Sequence, residues 1–462
     1  MSVEGFIEEA ARIVGDRWVL TEPWQLLPYS MDYWPLAVYR FLANPKAWRE
    51  HSPSAAVLPG SEDEVVELLE AAERHGVPLV PYAGGSGVLG GAMPERGWVV
   101  VDVSRLEWVE WYDEDAGIVD VGAGTPLVRV EEWLNSRGAT LRHYPQSLPE
   151  AVIGGLIATR STGQYSTGYG GIEDRVKGLN VAVPRLGLLR VKPAPRRSAL
   201  TPLEQFFTGS EGLFGIITRA YLEALPLPEC QVPVAWRSGS FLKGLDHARI
   251  LVKRRLAPEL LRVYDEVESA LALGVEGATA IGVYEGDCSV VEARIEAAER
   301  LLGVRIREWS APAERWLKER FNVVSSLKKL LAMGLAFDTI EVSATWGSVG
   351  RVYEALRSAA GIPGVVYVGV HASHFYPSGA ALYMTFAYEA SKLEETYMKV
   401  WDTVMREVSK AGGSIAHHHG VGRHRLAYLR LEIGDEGVSL LKKLKECIDP
   451  SGTLRRGALA PR

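Results

Sequence analysis

Six of the ten histidines fall between residues 371 and 424, at 371, 374, 417, 418, 419 and 424. His417-His418-His419-Gly420 runs into Val421-Gly422-Arg423, and His371-Ala372-Ser373-His374 precedes Tyr383 on an apolar, strand-like run. Imidazole titrates near neutrality, so it can move protons or bind a metal. A metal centre needs three or four converging ligands, and adjacent histidines in a regular strand or helix do not all face one ion. Acid–base catalysis or substrate binding therefore stands first for His417, His418, His419 and His374. Metal binding and a structural role are the alternatives, and no metal site is assigned.

A second group of segments is rich in small residues. Pro81-Tyr82-Ala83-Gly84-Gly85-Ser86-Gly87-Val88-Leu89-Gly90-Gly91 holds five glycines in eleven residues and follows Val77-Pro78-Leu79-Val80. Without Cβ atoms, consecutive backbone N–H groups can line one concavity, which suits a pyrophosphate. Three more stretches have the same texture. They are Pro145-Gln146-Ser147 with Ile153-Gly154-Gly155-Leu156-Ile157-Ala158-Thr159 and Thr162-Gly163; Tyr169-Gly170-Gly171-Ile172-Glu173-Asp174; and Gly209-Ser210-Glu211-Gly212-Leu213-Phe214-Gly215-Ile216-Ile217-Thr218. Each alone is a tight turn. Together, in this order, they are the walls of a flavin dinucleotide site.

The elements that carry these segments follow from pattern. Ala55 to Leu58 is a strand, and a helix runs from Ser61 to His75, with Ser61 as N-cap, Glu64 completing a capping box and Gly76 as the stop. Val77 to Val80 is a strand that Pro78 makes short or places at a sheet edge. Strands at 98–103 and 117–121 and a helix at 126–137 complete a β-α-β-β-β-α order, an α+β lobe and not a doubly wound sheet. No GxGxxG opens a helix after a strand, so no nicotinamide site is expected. After Pro226, two similar units at 231–303 and 338–410 each place strands beside helices. Their strands are expected at 279–284, 338–344, 365–370 and 381–388. Their helices are expected at 241–256, 290–302, 348–360 and 392–411. The greasy run from Leu327 to Phe337 reads as a core helix, and another amphipathic helix spans Gly434 to Cys447.

The chain has 462 residues, enough for two or three lobes. A net charge of -6 with no basic domain excludes a general nucleic-acid binder. Arg196-Arg197 and Arg423-His424-Arg425 are the local basic spots. Cys230, Cys288 and Cys447 form no disulfide framework, so an intracellular, cytoplasmic protein is expected. The amphipathic start, with Ile7, Ala10, Ala11, Ile13 and Val14 on one side, is no signal peptide. No apolar run reaches the ~18 residues of a membrane span, which leaves peripheral membrane contact open. Only nine Asn and Gln residues occur, which points to a hot environment.

The four glycine-rich segments resemble the FAD-binding domain of the vanillyl-alcohol oxidase and p-cresol methylhydroxylase superfamily, over about residues 53–226. The resemblance implies that the loop from Pro81 through Ala83, Gly84, Gly85, Ser86, Gly87 and Val88 holds the pyrophosphate. It implies that Pro145, Ser147, Gly154, Gly155, Ala158, Thr159, Gly163, Ile172, Glu211, Gly215, Ile216 and Ile217 line the cofactor. Several members attach FAD through a histidine in the glycine loop. Ser86 stands there in this chain, so the expectation is non-covalent FAD.

Ser373 to Tyr383, Gly412 to Gly420, Pro195-Arg196-Arg197-Ser198 and Tyr29-Ser30-Met31-Asp32 further resemble the alkylglycerone-phosphate synthase branch. That likeness implies Tyr383 as a catalytic acid/base, the triplet His417 to His419 around it, and Arg196 in the active site. A second family arginine is replaced by Lys328, which cannot make the same planar two-point grip. The neighbouring D-lactate and glycolate dehydrogenases usually carry an acidic residue where His418 stands, and an HxGDGNxH-like run where this chain has His374 to Tyr383.

The resulting expectation is an α+β flavoenzyme. Residues 1–52 form an N-terminal segment, 53–226 a p-cresol methylhydroxylase-type FAD-binding domain, 227–411 a cap with an antiparallel sheet, and 412–462 a segment returning to the active site. Tyr383 and His419 move protons, while Arg196, Lys328 and His374 hold a small anionic substrate. Two activities fit: oxidation of a D-lactate-like 2-hydroxy acid, with electrons passed to an unknown acceptor, or redox-neutral exchange of acyl for alkyl on dihydroxyacetone phosphate. The motifs favour exchange and a hot-environment source favours oxidation, which is the reading adopted. A non-catalytic flavin-binding subunit is the third alternative, and a homodimer is the expected assembly.

Overall fold

A computed structural model describes residues 2–321 and 330–454. The N-terminal lobe stacks two sheets. One has strands in the order Val19–Leu20, Ala55–Val57, Val99–Asp102, Leu79–Tyr82, and its last three strands run parallel. Pro78 sits just before Leu79–Tyr82, and that strand takes the edge of the sheet, as a missing N–H requires. The other sheet is antiparallel, in the order Val109–Asp113, Ile118–Gly122, Ile216–Glu223, Val176–Val183, Gly187–Val191.

The helix Glu62–His75 joins the two sheets. Ser61 Oγ caps Glu64 N at 3.1 Å and Gly76 ends the helix in the left-handed region. The Glu64 carboxylate does not return to Ser61, as a capping box requires; it accepts from Gly60 N at 2.6 Å. Glu62, in the first turn, accepts from Thr218 Oγ1 at 2.7 Å and Asn180 Nδ2 at 3.0 Å, tying the helix to the antiparallel sheet. The N-terminal helix Val3–Val14 buries Phe6, Ala10 and Val14, a narrower face than the sequence pattern gave.

The cap is one seven-stranded antiparallel sheet. Its order is Cys230–Arg237, Thr279–Gly286, Leu260–Tyr264, Val365–Phe375, Gly379–Glu389, Leu335–Thr345, Gly413–Ser414. The two expected units are β-α-β-β-α repeats: the first carries helices Phe241–Lys253 and Cys288–Leu302, the second Val349–Arg357 and Leu393–Lys410. Their middle strands pair, Tyr264 opposite His371 and Arg262 opposite Ser373, so the repeats share one sheet. Strands Cys230–Arg237 and Leu260–Tyr264 escape sequence patterning. The apolar run at 327–337, read as a helix, ends as strand, since Leu335 to Phe337 open Leu335–Thr345. Lys328 lies outside the described residues.

Period-two alternation sorts the cap's two faces. Val263, Ala372, Leu382, Met384, Val342 and their neighbours pack into a core under the four helices. Arg262, Tyr264, His371, Tyr383 and Glu341 alternate with them and occupy the opposite face. That face meets the N-terminal lobe, where buried Arg142 grips Glu285 through two bonds, Nε–Oε1 at 2.7 Å and Nη2–Oε2 at 2.5 Å.

One expectation fails on pairing. Cys230 and Cys288 form a disulfide with a Cα–Cα separation of 5.2 Å. Strand pairing sets Cys230 opposite Gly286, two residues from Cys288, a closeness that their separation of 58 in sequence conceals. The cysteine argument for a reducing compartment therefore falls.

The terminal helix Leu429–Ile448 begins earlier than expected and breaks at Gly434, where φ is +68°. Its Lys445 has no exposed surface and donates to Asp449 Oδ2 at 2.6 Å and Leu213 O at 2.7 Å; Thr453 O accepts from Leu79 N at 2.7 Å. The chain's end thus fastens two cofactor-side segments. Lys445→Met should lower the thermal midpoint by several degrees and raise the FAD dissociation constant, since an unpaired buried carboxylate costs roughly 3–5 kcal/mol. An unchanged melting curve and unchanged flavin retention would contradict this.

Candidate active site

The principal cavity lies between the lobes. The glycine loop from Pro81 to Val88 borders it, with Pro145, Ser147, Gly154, Gly155, Ala158, Thr159, Glu211, Gly215, Ile216 and Ile217, and His418 and His419 close it from the cap side. Two predicted cofactor residues are not brought to it. Gly163 serves a close approach, where a Cβ would stand 2.7 Å from Tyr144 N, and Ile172 is fully buried in the lobe's core.

The lining residues fit a flavin dinucleotide. Gly85 has φ +62°, and a Cβ there would lie 2.1 Å from Tyr82 Oη; at Gly84 it would lie 2.3 Å from Glu150 O. The loop therefore takes this path only with glycine, and no side chain stands between its backbone and the cavity at these positions. The N-terminal segment supports it: Tyr33 N donates to Gly87 O at 2.8 Å and Tyr29 Oη donates to Asp102 Oδ2 at 2.7 Å. Helix Ile153–Thr159 presents Gly155 and Ala158 to the same space. Gly154 is also needed for packing, since its Cβ would meet Ala123 O at 2.9 Å. Glu211 borders the cavity, but its carboxylate accepts from Val421 N at 2.6 Å and Gly422 N at 3.1 Å, so it tethers the histidine loop.

Tyr383 sits at the centre of the cap face. Regular alternation would send His374 into the helix-covered core. A bulge between Ser373 and Phe375, with His374 at φ +52°, adds one residue and turns this imidazole to the Tyr383 side. Holding a non-glycine residue there costs about 1–3 kcal/mol, a strain typical of functional positions. His374 Nε2 lies 2.6 Å from Tyr383 Oη and its Nδ1 2.5 Å from Ser166 Oγ. His418 Nε2 is 3.3 Å from the same phenol, and His371 stacks on the ring at 4.7 Å. His419 makes no hydrogen bond to Tyr383; the rings meet edge-on at 6.1 Å. The phenol's hydrogen-bond partners are thus His374 and His418, whereas the sequence paired it with His419.

The histidine loop is pinned by Glu341, which sequence reasoning missed. This carboxylate has no exposed surface and accepts from His417 N at 2.6 Å, His419 N at 2.8 Å and Arg425 Nη1 at 2.7 Å. Burial works to raise its pKa, but Arg425 and the histidines outweigh that and hold it well below the usual carboxylate range. In sequence it is one of two acidic residues in a mixed strand, and only its place opposite Tyr383 in the sheet gives it meaning.

Arg196 is not brought to the cavity. It is exposed on the loop after Gly187–Val191, where neighbouring Arg197 pairs with Glu204 at 3.2 Å. The cation beside the phenol is Arg262, whose Nη2 lies 2.5 Å from His371 Nε2. Among the described residues no carboxylate lies within 4 Å of Arg262, and its buried Nε has no hydrogen-bond partner. Nor do three His, Cys, Asp or Glu side chains converge as a metal centre needs, among the described residues.

Burial lowers every imidazole here. His371 and His419 fall to about 4, and His374, His417 and His418 are lowered too, while burial pushes the Tyr383 phenol well above its ordinary value. The imidazoles and the phenol are therefore neutral at physiological pH. Between pH 6.5 and about 4 the unfolded chain binds more protons than the folded one, so stability is complete above 6.5 and is lost as pH falls towards 4. The thermal midpoint should drop across that window, and His371→Gln should flatten the drop; a midpoint constant from pH 7 to 4 would contradict this.

Residues 53–190 match the FAD binding domain family and residues 227–459 the family of FAD linked oxidases, C-terminal domain. The chain is 28% identical to an uncharacterized FAD-linked oxidoreductase, YgcU, of Escherichia coli (strain K12), over 100% of this chain and 99% of that protein. It is 25% identical to the alkyldihydroxyacetonephosphate synthase of Trypanosoma brucei brucei, over 89% and 74%, and 23% identical to the glycolate oxidase subunit GlcD of Bacillus subtilis (strain 168), over 91% and 92%. A solved alkyldihydroxyacetonephosphate synthase superposes with a TM-score of 0.82 at 22% identity, covering 98% of this chain and 85% of that one; a substrate-bound p-cresol methylhydroxylase gives 0.76 at 15%, over 98% and 95%. Among the described residues no helix is long and apolar enough to cross a membrane. With glycine-rich segments around the cavity and a tyrosine–histidine cluster on the cap side, the chain belongs to the FAD-linked oxidases, built from a FAD binding domain and a FAD-linked oxidase C-terminal domain, in the fold that p-cresol methylhydroxylase shares.

Proposed function

We propose that this chain oxidises a small 2-hydroxy acid of the D-lactate type, with non-covalent FAD and a separate electron acceptor. The observation that carries this is the pairing of Tyr383, held between two neutral imidazoles, with Arg262, a cation that has no carboxylate partner among the described residues. This partly buried guanidinium rests on the Tyr264 and Trp316 rings and on His371, and an anion would complete it; a carboxylate matches its planar fork. Bound FAD supplies a two-electron acceptor. Arg262 holds the substrate carboxylate, Tyr383 takes the hydroxyl proton, and His374 and His418 keep the phenol in place. Ser86 in the glycine loop leaves no imidazole there for covalent attachment.

A second reading is exchange of acyl for alkyl on dihydroxyacetone phosphate. The run His417 to His419 beside Tyr383 and the 25% identity to the trypanosomal synthase favour it. Anaerobic mixing with D-lactate separates the two. Bleaching of the flavin absorbance supports oxidation. No bleaching by any 2-hydroxy acid, together with turnover of acyl-dihydroxyacetone phosphate, replaces it with exchange. Acid precipitation should release the FAD into the supernatant.

A further inference from the structure

Tyr383 is one link in a longer series of contacts. Tyr376 Oη lies 2.8 Å from His417 Nε2, and His417 Nδ1 lies 2.9 Å from His418 Nδ1. His418 Nε2 is 3.3 Å from Tyr383 Oη, which is 2.6 Å from His374 Nε2, and His374 Nδ1 is 2.5 Å from Ser166 Oγ. Three hydroxyls and three imidazoles stand in one line, with His417 and His418 in direct contact, joined through both ring nitrogens of each histidine.

A neutral imidazole has one N–H and one bare nitrogen, and a hydroxyl both donates and accepts. Every contact in such a series is satisfied whether all donors point towards Ser166 or all towards Tyr376. A protonated histidine would put two donors in contact and break the order. Burial lowers His374, His417 and His418 and raises both phenols, so all the links stay neutral. The two ends differ. Ser166 is 3% exposed, a closed end in the N-terminal lobe, whereas Tyr376 is half-buried and opens the turn that carries exposed Pro377 and Ser378. Glu173 and Asp174 act on the Tyr376 phenol, and Glu173 Oε2 is buried without a partner.

We propose that this series is a proton wire that connects Tyr383 to solvent, with Tyr376 as its outlet. The inference rests on Tyr383 acting as the acid–base group. When Tyr383 takes a proton from the substrate hydroxyl, it passes its own to His418 Nε2. His418 passes the Nδ1 proton to His417 Nδ1, His417 passes the Nε2 proton to Tyr376, and Tyr376 releases one to water. One proton enters and one leaves, no link changes charge, and every donor between Tyr383 and Tyr376 has reversed, while His374 and Ser166 keep theirs. Tyr376 needs no contact with substrate, which separates it from a binding residue.

Tyr376→Phe removes only the outlet hydroxyl. Wild type, Tyr376→Phe and Tyr383→Phe holoenzymes are assayed on D-lactate with a dye acceptor, or on acyl-dihydroxyacetone phosphate if that is what turns over. The expected result for Tyr376→Phe is unchanged flavin absorbance and KM and a kcat lowered ~10-fold or more. Millimolar imidazole should restore that rate, and its solvent deuterium isotope effect should exceed the wild-type value. His417→Gln, which cuts the next link, should show the same rescue. A Tyr376→Phe enzyme running at full rate, or slowed but indifferent to imidazole, overturns the wire while an inactive Tyr383→Phe keeps the acid–base reading. A fully active Tyr383→Phe overturns both.

Discussion

Replacing Tyr383 by phenylalanine should lower kcat/KM by ~10²–10⁴-fold, the usual contribution of one positioned acid–base group. At 1.36 kcal/mol per factor of ten, that is about 3–5 kcal/mol of lost transition-state stabilisation. The substitution deletes one oxygen and leaves the ring stacked on His371 at 4.7 Å. Packing against the core-facing neighbours Leu382 and Met384 is untouched, because they point to the other side of the sheet. Two imidazoles do lose a partner: His374 at 2.6 Å and His418 at 3.3 Å. A buried group left unsatisfied costs roughly 1–3 kcal/mol, so a modest fall in thermal midpoint accompanies the loss of rate. FAD absorbance should stay near wild type, because the phenol is not among the residues that line the cavity assigned to FAD. Wild-type turnover by the phenylalanine enzyme would remove Tyr383 from the reaction and revive a non-catalytic flavin-binding role.

The largest effect on stability should come from Glu341. Glu341→Gln removes the carboxylate paired with Arg425, which is itself fully buried. Breaking a buried pair from one side costs roughly 3–5 kcal/mol, because the remaining ion has no water to replace its partner. The carboxylate also anchors two successive turns of the histidine loop, through His417 N and His419 N. An amide retains one acceptor oxygen and cannot serve both N–H groups and the guanidinium. Activity should fall with stability, since the loop would no longer hold His418 against Tyr383. The double variant Glu341→Gln with Arg425→Met should recover part of the unfolding free energy, because it removes the orphaned charge. It should not recover activity, which depends on the loop's position. A urea midpoint for Glu341→Gln equal to that of wild type would contradict the role given to this residue.

Much of the scaffold was legible because it depends on local rules. Ser61 and Gly76 bound their helix as capping chemistry demands, and Pro78 marks an edge strand. Four helices of the cap follow from apolar periodicity, as do four of its strands, whereas the helix Ala311–Glu319 does not. Glycines at 84 and 85 identify the cofactor loop because no other residue fits their backbone path. Local rules also misled. Glu64 has a nearer donor in Gly60, and Leu335 to Phe337, apolar in succession, are strand where a helix was expected. The two cysteines, 58 residues apart, meet because strand pairing carries one to the other.

By itself the sequence determined the cofactor lobe, the two-repeat cap and the set of tyrosine and histidine residues with acid–base capacity. Composition, periodicity and glycine placement act over a few residues, and they suffice for that. Only the tertiary structure decided which partners those groups take. His374 reaches Tyr383 through a one-residue bulge, His418 displaces His419 as a phenol partner, Arg262 replaces Arg196 as the nearby cation, and Glu341 anchors the loop from a strand whose sequence gives no hint of it. Those choices depend on sheet register, and register sets which side chains share a face. It is fixed by pairing between strands more than a hundred residues apart, which no short window of sequence contains.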